Sequence, residues 1–162
     1  MTDADAFRAA MGQFATGVTV VTFPPADDPH GITVNAFASA SLDPPLVLVC
    51  LDHDTESHRL LADGDADAFC VNVLAAGQRA LGEHFAGMAA VDDPFADTTT
   101  AATGAPVFAD ALAAIDCSVH ASFAAGDHTV YVGRVEEARV LDDAGDPLTF
   151  FRGEWGRAPA TD

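Results

Sequence analysis

The 162-residue chain is 49% hydrophobic, enough for one domain with a real core, and residues 1–162 are expected to form that single domain. Its 25 acids against seven bases give a formal net charge of -18, and every base is Arg. Such a field repels phosphate backbones and anionic lipid, which argues against nucleic-acid and membrane-surface roles.

From the N-terminus, Phe7, Ala10, Met11 and Phe14 recur at i, i+3, i+4 and i+7, so residues 3–15 read as a helix that Gly17 stops. "VTVVTF" at 18–23 is a β-branched strand, and the loop "PPADDPHG" makes it a hairpin with a second strand at 31–38. "LVLVCL" at 46–51 lacks alternation and reads as a strand buried on both faces. Thr55 to Ala62 reads as a short helix, 68–74 as a strand, Gly77 to Phe85 as an amphipathic helix and 86–104 as a loop. Strands follow at 113–123 and 128–141, joined across "AAGDH", before "PLTFFRGEW" closes the chain. Many short strands with two or three helices suggest a mainly β barrel with peripheral helices.

The acids fall in short clusters at expected turns, among them Asp27-Asp28, Asp63, Asp65 and Asp67, and Asp142-Asp143. Acid excess without Lys resembles the proteins of salt-loving cells, where salt screens self-repulsion, so a halophilic protein is expected. Met1-Thr2-Asp3 opens acidic with no apolar run after it, and no stretch approaches the roughly 20 apolar residues of a membrane span. A soluble cytoplasmic protein is the expectation. Cys50, Cys70 and Cys117 are odd in number and each sits in an apolar run, so they read as buried reduced thiols.

Two C-x-x-H spacings, Cys50 with His53 and Cys117 with His120, could suggest zinc. Residues three apart in a strand point to opposite faces, which argues against convergence on one ion, and no metal is expected. A nucleophile elbow, a phosphate-binding P-loop and a dinucleotide-binding fingerprint are all missing. What remains is a hydroxyl-rich strand carrying Thr33, Asn35, Ser39 and Ser41, a second pair at Thr55 and Ser57, and "GDH" at 126–128. Small hydroxyls and exposed backbone N–H groups suit a phosphate or a polar heteroaromatic ring lying on a sheet. Thr55 and Ser57 could cradle a phosphate where their helix starts, or merely cap that helix.

"FATGVTVVT" at 14–22, "HGITVNAFASASLDPPLVLVCL" at 30–51, "FCVNVL" at 69–74, "GDHTVYVGRV" at 126–135 and "FFRGEWG" at 150–156 resemble, in order and spacing, the short-chain flavin reductase family. The resemblance runs from about Phe7 to Gly156. It implies an FMN-binding split β-barrel that forms homodimers and reduces FMN or FAD with NADH or NADPH, often for a flavin-dependent monooxygenase. It also implies that Thr33, Val34 and Asn35 offer backbone and amide hydrogen bonds to the flavin ring, with Ser39, Ala40 and Ser41 along the ribityl chain and phosphate. Cys50 and Leu51 match positions flanking the flavin, Thr55 and Ser57 match hydroxyls around the phosphate, and Phe85 matches an aromatic beside the cofactor. His128 matches the family's Gly-Asp-His histidine on the nicotinamide side, and Arg152 would guide a nicotinamide phosphate or pair with a surface carboxylate.

The chain departs from the family in two places. Asp54 and Glu56 bracket the hydroxyls of "HDTES" where relatives often carry Arg or Lys, and Phe150 and Trp155 stand where tyrosines are common. The lack of Lys leans towards NADH, since a 2′-phosphate usually needs extra cations. Two rival readings stay open: a flavin-binding electron carrier or store without reductase activity, and an oxidase of a small substrate on the same barrel.

Overall fold

The computed structural model describes residues 3–159, so the outermost residues of the expected domain lie outside the described residues. Asp3 caps the first helix, α1 (Ala4–Met11), its carboxylate accepting from Asp5 N–H, and Gly12 rather than Gly17 ends it. The apolar face is present, yet it points outward: Phe7, Met11 and Phe14 are 58%, 52% and 70% exposed.

The strands and remaining helices follow as β1 (Thr16–Gly17), β2 (Thr19–Phe23), β3 (His30–Val34), β4 (Phe37–Leu42), β5 (Pro45–Asp52), α2 (Glu56–Ala62) and β6 (Ala68–Val73). Then come α3 (Arg79–Phe85), β7 (Thr98–Thr100), β8 (Pro106–Phe108), β9 (Ala113–Ala125), β10 (His128–Val140), β11 (Leu148–Phe151) and β12 (Glu154–Arg157). The expected loop at 86–104 therefore needs correcting. Its Thr run forms β7, which pairs with β8 across the turn that follows.

Seven strands make one antiparallel sheet in the order β3-β2-β6-β9-β10-β5-β4. The expected hairpin of β2 with β3 forms, but the single strand at 31–38 is two strands. β3 and β4 occupy opposite edges of the sheet although only Asn35 and Ala36 separate them in sequence. The sheet must curl until its edges come together at these two residues, where Cys50 N–H donates to Ala36 O at 3.1 Å. The gap between the unpaired edges is the split of the barrel, and the mainly β class with a few helices is as expected.

Burial inside the sheet corrects a second expectation. β5 alternates, with Val47, Val49 and Leu51 buried and Leu46, Leu48 and Cys50 half-buried. β2 is covered on both faces, with all five residues buried, and its neighbour β6 is buried along five of its six residues. Val21 and Phe23 of β2 pack with Val49, Leu51, Phe69, Val71 and Tyr131 in one core cluster. Val18 and Val20 pack with Leu74, Phe108 and Leu148, covered by Leu81 and Phe85 of α3. A layer outside β2 thus makes a second core, and an apolar run is selected where both faces are dry.

The buried polar side chains of Thr19, Thr22 and Asn72 are paired. Asn72 Nδ2 donates to Val20 O and Thr22 Oγ1, each at 3.2 Å, while its Oδ1 accepts from Phe108 N–H at 3.0 Å. This fixes β8 against the sheet through a side chain that would cost about 1–3 kcal/mol if left unpaired. Cys70 and Cys117 are buried free thiols, and burial pushes the Cys117 thiol up to about 12. Cys50 departs from the expectation because its face of β5 is only partly covered.

Candidate functional site

Three adjoining hollows run along one face of the barrel where its edges meet. The first, about 470 Å³, lies between β3, the start of α2 and the end of α3, and is lined by His30, Thr33, Thr55, Ser57 and Phe85 among others. A 170 Å³ hollow shares Thr33 and Ala86 with it and adds Asn35, Phe150 and Trp155. The third, about 620 Å³, shares Asn35 and Phe150 with the second and adds Phe37, Leu48, Cys50, Arg152 and the apolar face of α1. Shared residues join the three into one trough, apolar along its length and dotted with polar groups, the usual character of a small-molecule site.

Seven of the expected site residues, Thr33, Asn35, Cys50, Thr55, Ser57, Phe85 and Arg152, line this trough. The hydroxyls do local work as well. Thr33 Oγ1 donates to Gly82 O at 2.6 Å, tying β3 to α3. Thr55 is the N-cap of α2: its Oγ1 accepts from His58 N–H at 3.2 Å and donates to Asp52 O at 2.7 Å. Ser57, by contrast, caps nothing; its Oγ lies 2.8 Å from His30 Nε2.

Val34 and Leu51 are buried in the core, and Thr19 Oγ1 donates to Val34 O at 2.5 Å. Ser39, Ala40 and Ser41 lie on the edge strand β4, with a register shift between Ser39 and Ser41, and border none of the three hollows. They pair with the Leu46 end of β5, whereas Thr55 and Ser57 follow its Asp52 end. One phosphate group cannot contact both sets, because about six residues of extended strand span roughly 20 Å.

His128 begins β10 opposite Asp52, and its Nδ1 lies 2.7 Å from Asp127 Oδ1. Gly126, with φ of 67°, makes the tight turn between β9 and β10. His53 N–H donates to Asp127 O at 3.0 Å, so this turn is held at the Thr55 end of the trough. His128 nonetheless lines none of the hollows in a single chain.

Of the two roles open to Arg152, pairing with a surface carboxylate is not the one it takes; its partner is an amide. Its Nε and Nη2 donate to Gln13 Oε1 at 3.0 and 2.8 Å, and its guanidinium lies 4.7 Å over Phe151. With φ of 52° it shares a left-handed turn with Gly153, φ 80°, between β11 and β12. A cation without a carboxylate partner among the described residues is thereby held at the rim of the third hollow.

Sequence reasoning missed His30 and noted Trp155 only as standing where tyrosines are common. His30 directly precedes Gly31 in the quoted block, and its signal was a titratable ring at the head of a strand of hydroxyls. Burial holds His30 below its ordinary value, partly opposed by Glu56. Burial also raises Cys50, so it stays a neutral thiol in the trough. Trp155 Nε1 is buried with no hydrogen-bond partner among the described residues, and its ring borders the middle hollow. Among the described residues no group of three or more His, Cys, Asp or Glu could hold a metal ion. No described helix is long and apolar enough to cross a membrane.

Comparison with known proteins agrees with this architecture. Residues 11–159 match the family model described as the flavin reductase like domain. The FMN reductase (NADH) SmoA of Agrobacterium fabrum is 43% identical over 151 residues, covering 93% of this chain and 84% of that protein. The structure of BorF, the flavin reductase component of a bacterial two-component tryptophan halogenase, superposes with a TM-score of 0.88 at 38% identity, covering 98% of this chain and all of the other. The NADH:FAD oxidoreductase SgcE6 of Streptomyces globisporus, in complex with NAD and FAD fragments, superposes with a TM-score of 0.87 at 38% identity, covering 99% and 96% of the two chains. On a match that spans nearly the whole described chain, this protein belongs to the flavin reductase like family.

Proposed function

We propose that this chain is an NADH-dependent flavin reductase, acting as a single domain over residues 1–162 on FMN or FAD. The observation that carries the reading is the trough of hydroxyl, amide and aromatic groups at the split of the barrel, in a chain of this family. Its donor set fits a flavin. An unsatisfied buried N–H costs about 1–3 kcal/mol, and an acceptor atom on a bound heterocycle would offset that cost at Trp155. The BorF and SmoA relatives support the same activity.

A bound flavin supplies the hydride acceptor for a reduced nicotinamide; the protein's part is to bind, orient and shield. Asn35 at the β3–β4 corner and the backbone of Thr33 and Val34 address the ring edge. Phe85, Phe150 and Trp155 wall the trough with aromatic surface that excludes water. Thr55 and Ser57 stand at the phosphate end, Cys50 and Arg152 at the opposite end, and the backbone of Leu51 holds Cys50 in place. Ser39, Ala40 and Ser41 would serve a more distant part of the ligand on β4. His128, oriented by Asp127, would contact the nicotinamide, and Arg152 would attract its phosphates.

The chain would work as a cytoplasmic homodimer in a high-salt interior and pass reduced flavin to a flavin-dependent monooxygenase. Support for the dimer comes from Phe7 and Met11 of α1 and from Phe14 just after it, which expose an apolar face on the third hollow. Support for the partner comes from BorF, a component of a two-component system.

The test is anaerobic. Purified protein is mixed with excess FMN in high salt, NADH is added, and flavin absorbance is followed. Bleaching of the whole free pool is expected, and His128→Asn should slow it at least tenfold while flavin binding persists. Flavin bound without bleaching would overturn the reductase reading in favour of an electron carrier.

A further inference from the structure

The first hollow poses an electrostatic problem. Glu56 lines it, no Arg does, and the chain has no Lys. The nearest guanidinium, Arg59, is engaged by Glu56 at 2.6 Å and by Asp65 at 2.7 Å. A phosphate entering beside Thr55 would therefore meet a carboxylate and no permanent cation. The one lining side chain able to carry positive charge is His30.

The geometry around His30 prepares that role. Ser57, wholly shielded from solvent, holds Nε2 at 2.8 Å, and Phe23 flanks the ring with centroids 5.7 Å apart. Nδ1 has no hydrogen-bond partner among the described residues. The ring is thus fixed at one nitrogen and free at the other, in a half-buried position on the wall of the hollow. The charged groups acting on it both come from α2: Glu56, which favours its protonation, and Arg59, which opposes it. β2 contributes Phe23 and the end of α3 contributes Phe85 and Ala86, none of them ionisable.

Resting on the flavin reading above, we propose that His30 is a binding residue for the flavin's phosphate, taking up one proton from solvent as the nucleotide binds, with Ser57 as its positioning residue. The added proton makes both ring nitrogens donors, so Nε2–H donates to Ser57 Oγ and Nδ1–H is available to a phosphate oxygen. Burial favours neutral His30 in the free protein, so the charge arrives with the ligand. Phosphate affinity is consequently built into the site only when it is used, in a chain whose field otherwise repels anions.

The proton count is measured by titration calorimetry at about pH 7.5 in two buffers of different ionisation enthalpy, in high salt, with FMN, riboflavin and NADH. FMN is expected to bind with uptake of up to one proton and to weaken as pH rises, by up to tenfold per pH unit, the slope of one proton. Riboflavin, lacking the phosphate, should bind without uptake. His30→Asn should abolish the uptake and weaken FMN about tenfold while leaving riboflavin unchanged. Equal proton counts for FMN and riboflavin in the unaltered protein would overturn the proposal with no variant needed, leaving the reductase reading intact. Uptake that follows NADH instead would overturn it by moving the phosphate to the dinucleotide. Failure to bind either flavin would overturn the reductase reading, and this one with it.

Discussion

Gly31 lies against the ring of Phe85: a Cβ built at position 31 would sit 2.9 Å from Phe85 Cε1 and 3.1 Å from Cδ1. The absence of a side chain on β3 therefore lets an α3 aromatic form the wall of the first hollow. Phe85 has little room to retreat, since Phe95 and Phe108 lie 5.2 and 5.9 Å from it, centroid to centroid. Gly31→Ala should displace the ring into the trough, destabilising the fold by about 1–3 kcal/mol and weakening FMN binding several-fold. Thermal melts and flavin fluorescence quenching check this; unchanged affinity would show that Phe85 does not shape the site.

Gly133 offers a control within the core. A Cβ there would lie 2.6 Å from Phe69 Cζ and 2.8 Å from Cys117 Cβ, at a register shift between β9 and β10. Gly133→Ala is expected to cost at least as much stability as Gly31→Ala, about 1–3 kcal/mol or more, while the folded fraction binds flavin normally. Chemical denaturation with and without flavin separates the two effects.

The free protein should lose stability in mild acid through His30. Burial holds its folded value below the ordinary 6.5, so between these two values the unfolded chain binds more protons than the folded one. Stability contributed by neutral His30 is complete above 6.5 and is lost as pH falls towards the folded value. The melting temperature of the free protein should therefore decline below about pH 6.5 more steeply than that of His30→Asn. Identical pH profiles for the two proteins would contradict the burial of this imidazole.

Salt should stabilise the fold. Several ion pairs hold Arg side chains on the surface, Arg59 alone meeting Glu56, Asp63 and Asp65, yet 25 acids far outnumber the seven bases. Net repulsion dominates such isolated exposed pairs, and screening relieves it. Melting temperature and reductase activity should both rise as KCl goes from dilute buffer into the molar range. A circular-dichroism melt unchanged by salt would remove the halophilic reading and leave the flavin chemistry untouched.

Much of the architecture was legible in residue order because it depends on local periodicity and turn chemistry. The β2–β3 hairpin, α2 with Thr55 at its start, α3, and the pairing of β9 with β10 across Gly126 and Asp127 follow from alternation, caps and glycine. The collinear motif blocks marked most of the trough as well, from Thr33 and Asn35 to Phe85. The departures arose where a strand's partner, not its own composition, decides its burial. "LVLVCL" is greasy but faces a partly covered groove, and "VTVVT" is buried twice because a second core packs outside it.

What the sequence determined by itself is therefore the class of the fold, the family and the chemical types at the site. Only the tertiary structure decided that Asn35 and Ala36 join the two edges of a curled sheet, and that Val34 and Leu51 turn inward while Ser39 to Ser41 lie away from the hydroxyls of α2. It alone brought His30 within 2.8 Å of Ser57, across 27 residues of sequence. The reason is that side-chain chemistry and local backbone preference are properties of neighbours along the chain. Which groups share a cavity depends on long-range pairing and sheet curvature, and no short stretch of sequence encodes either.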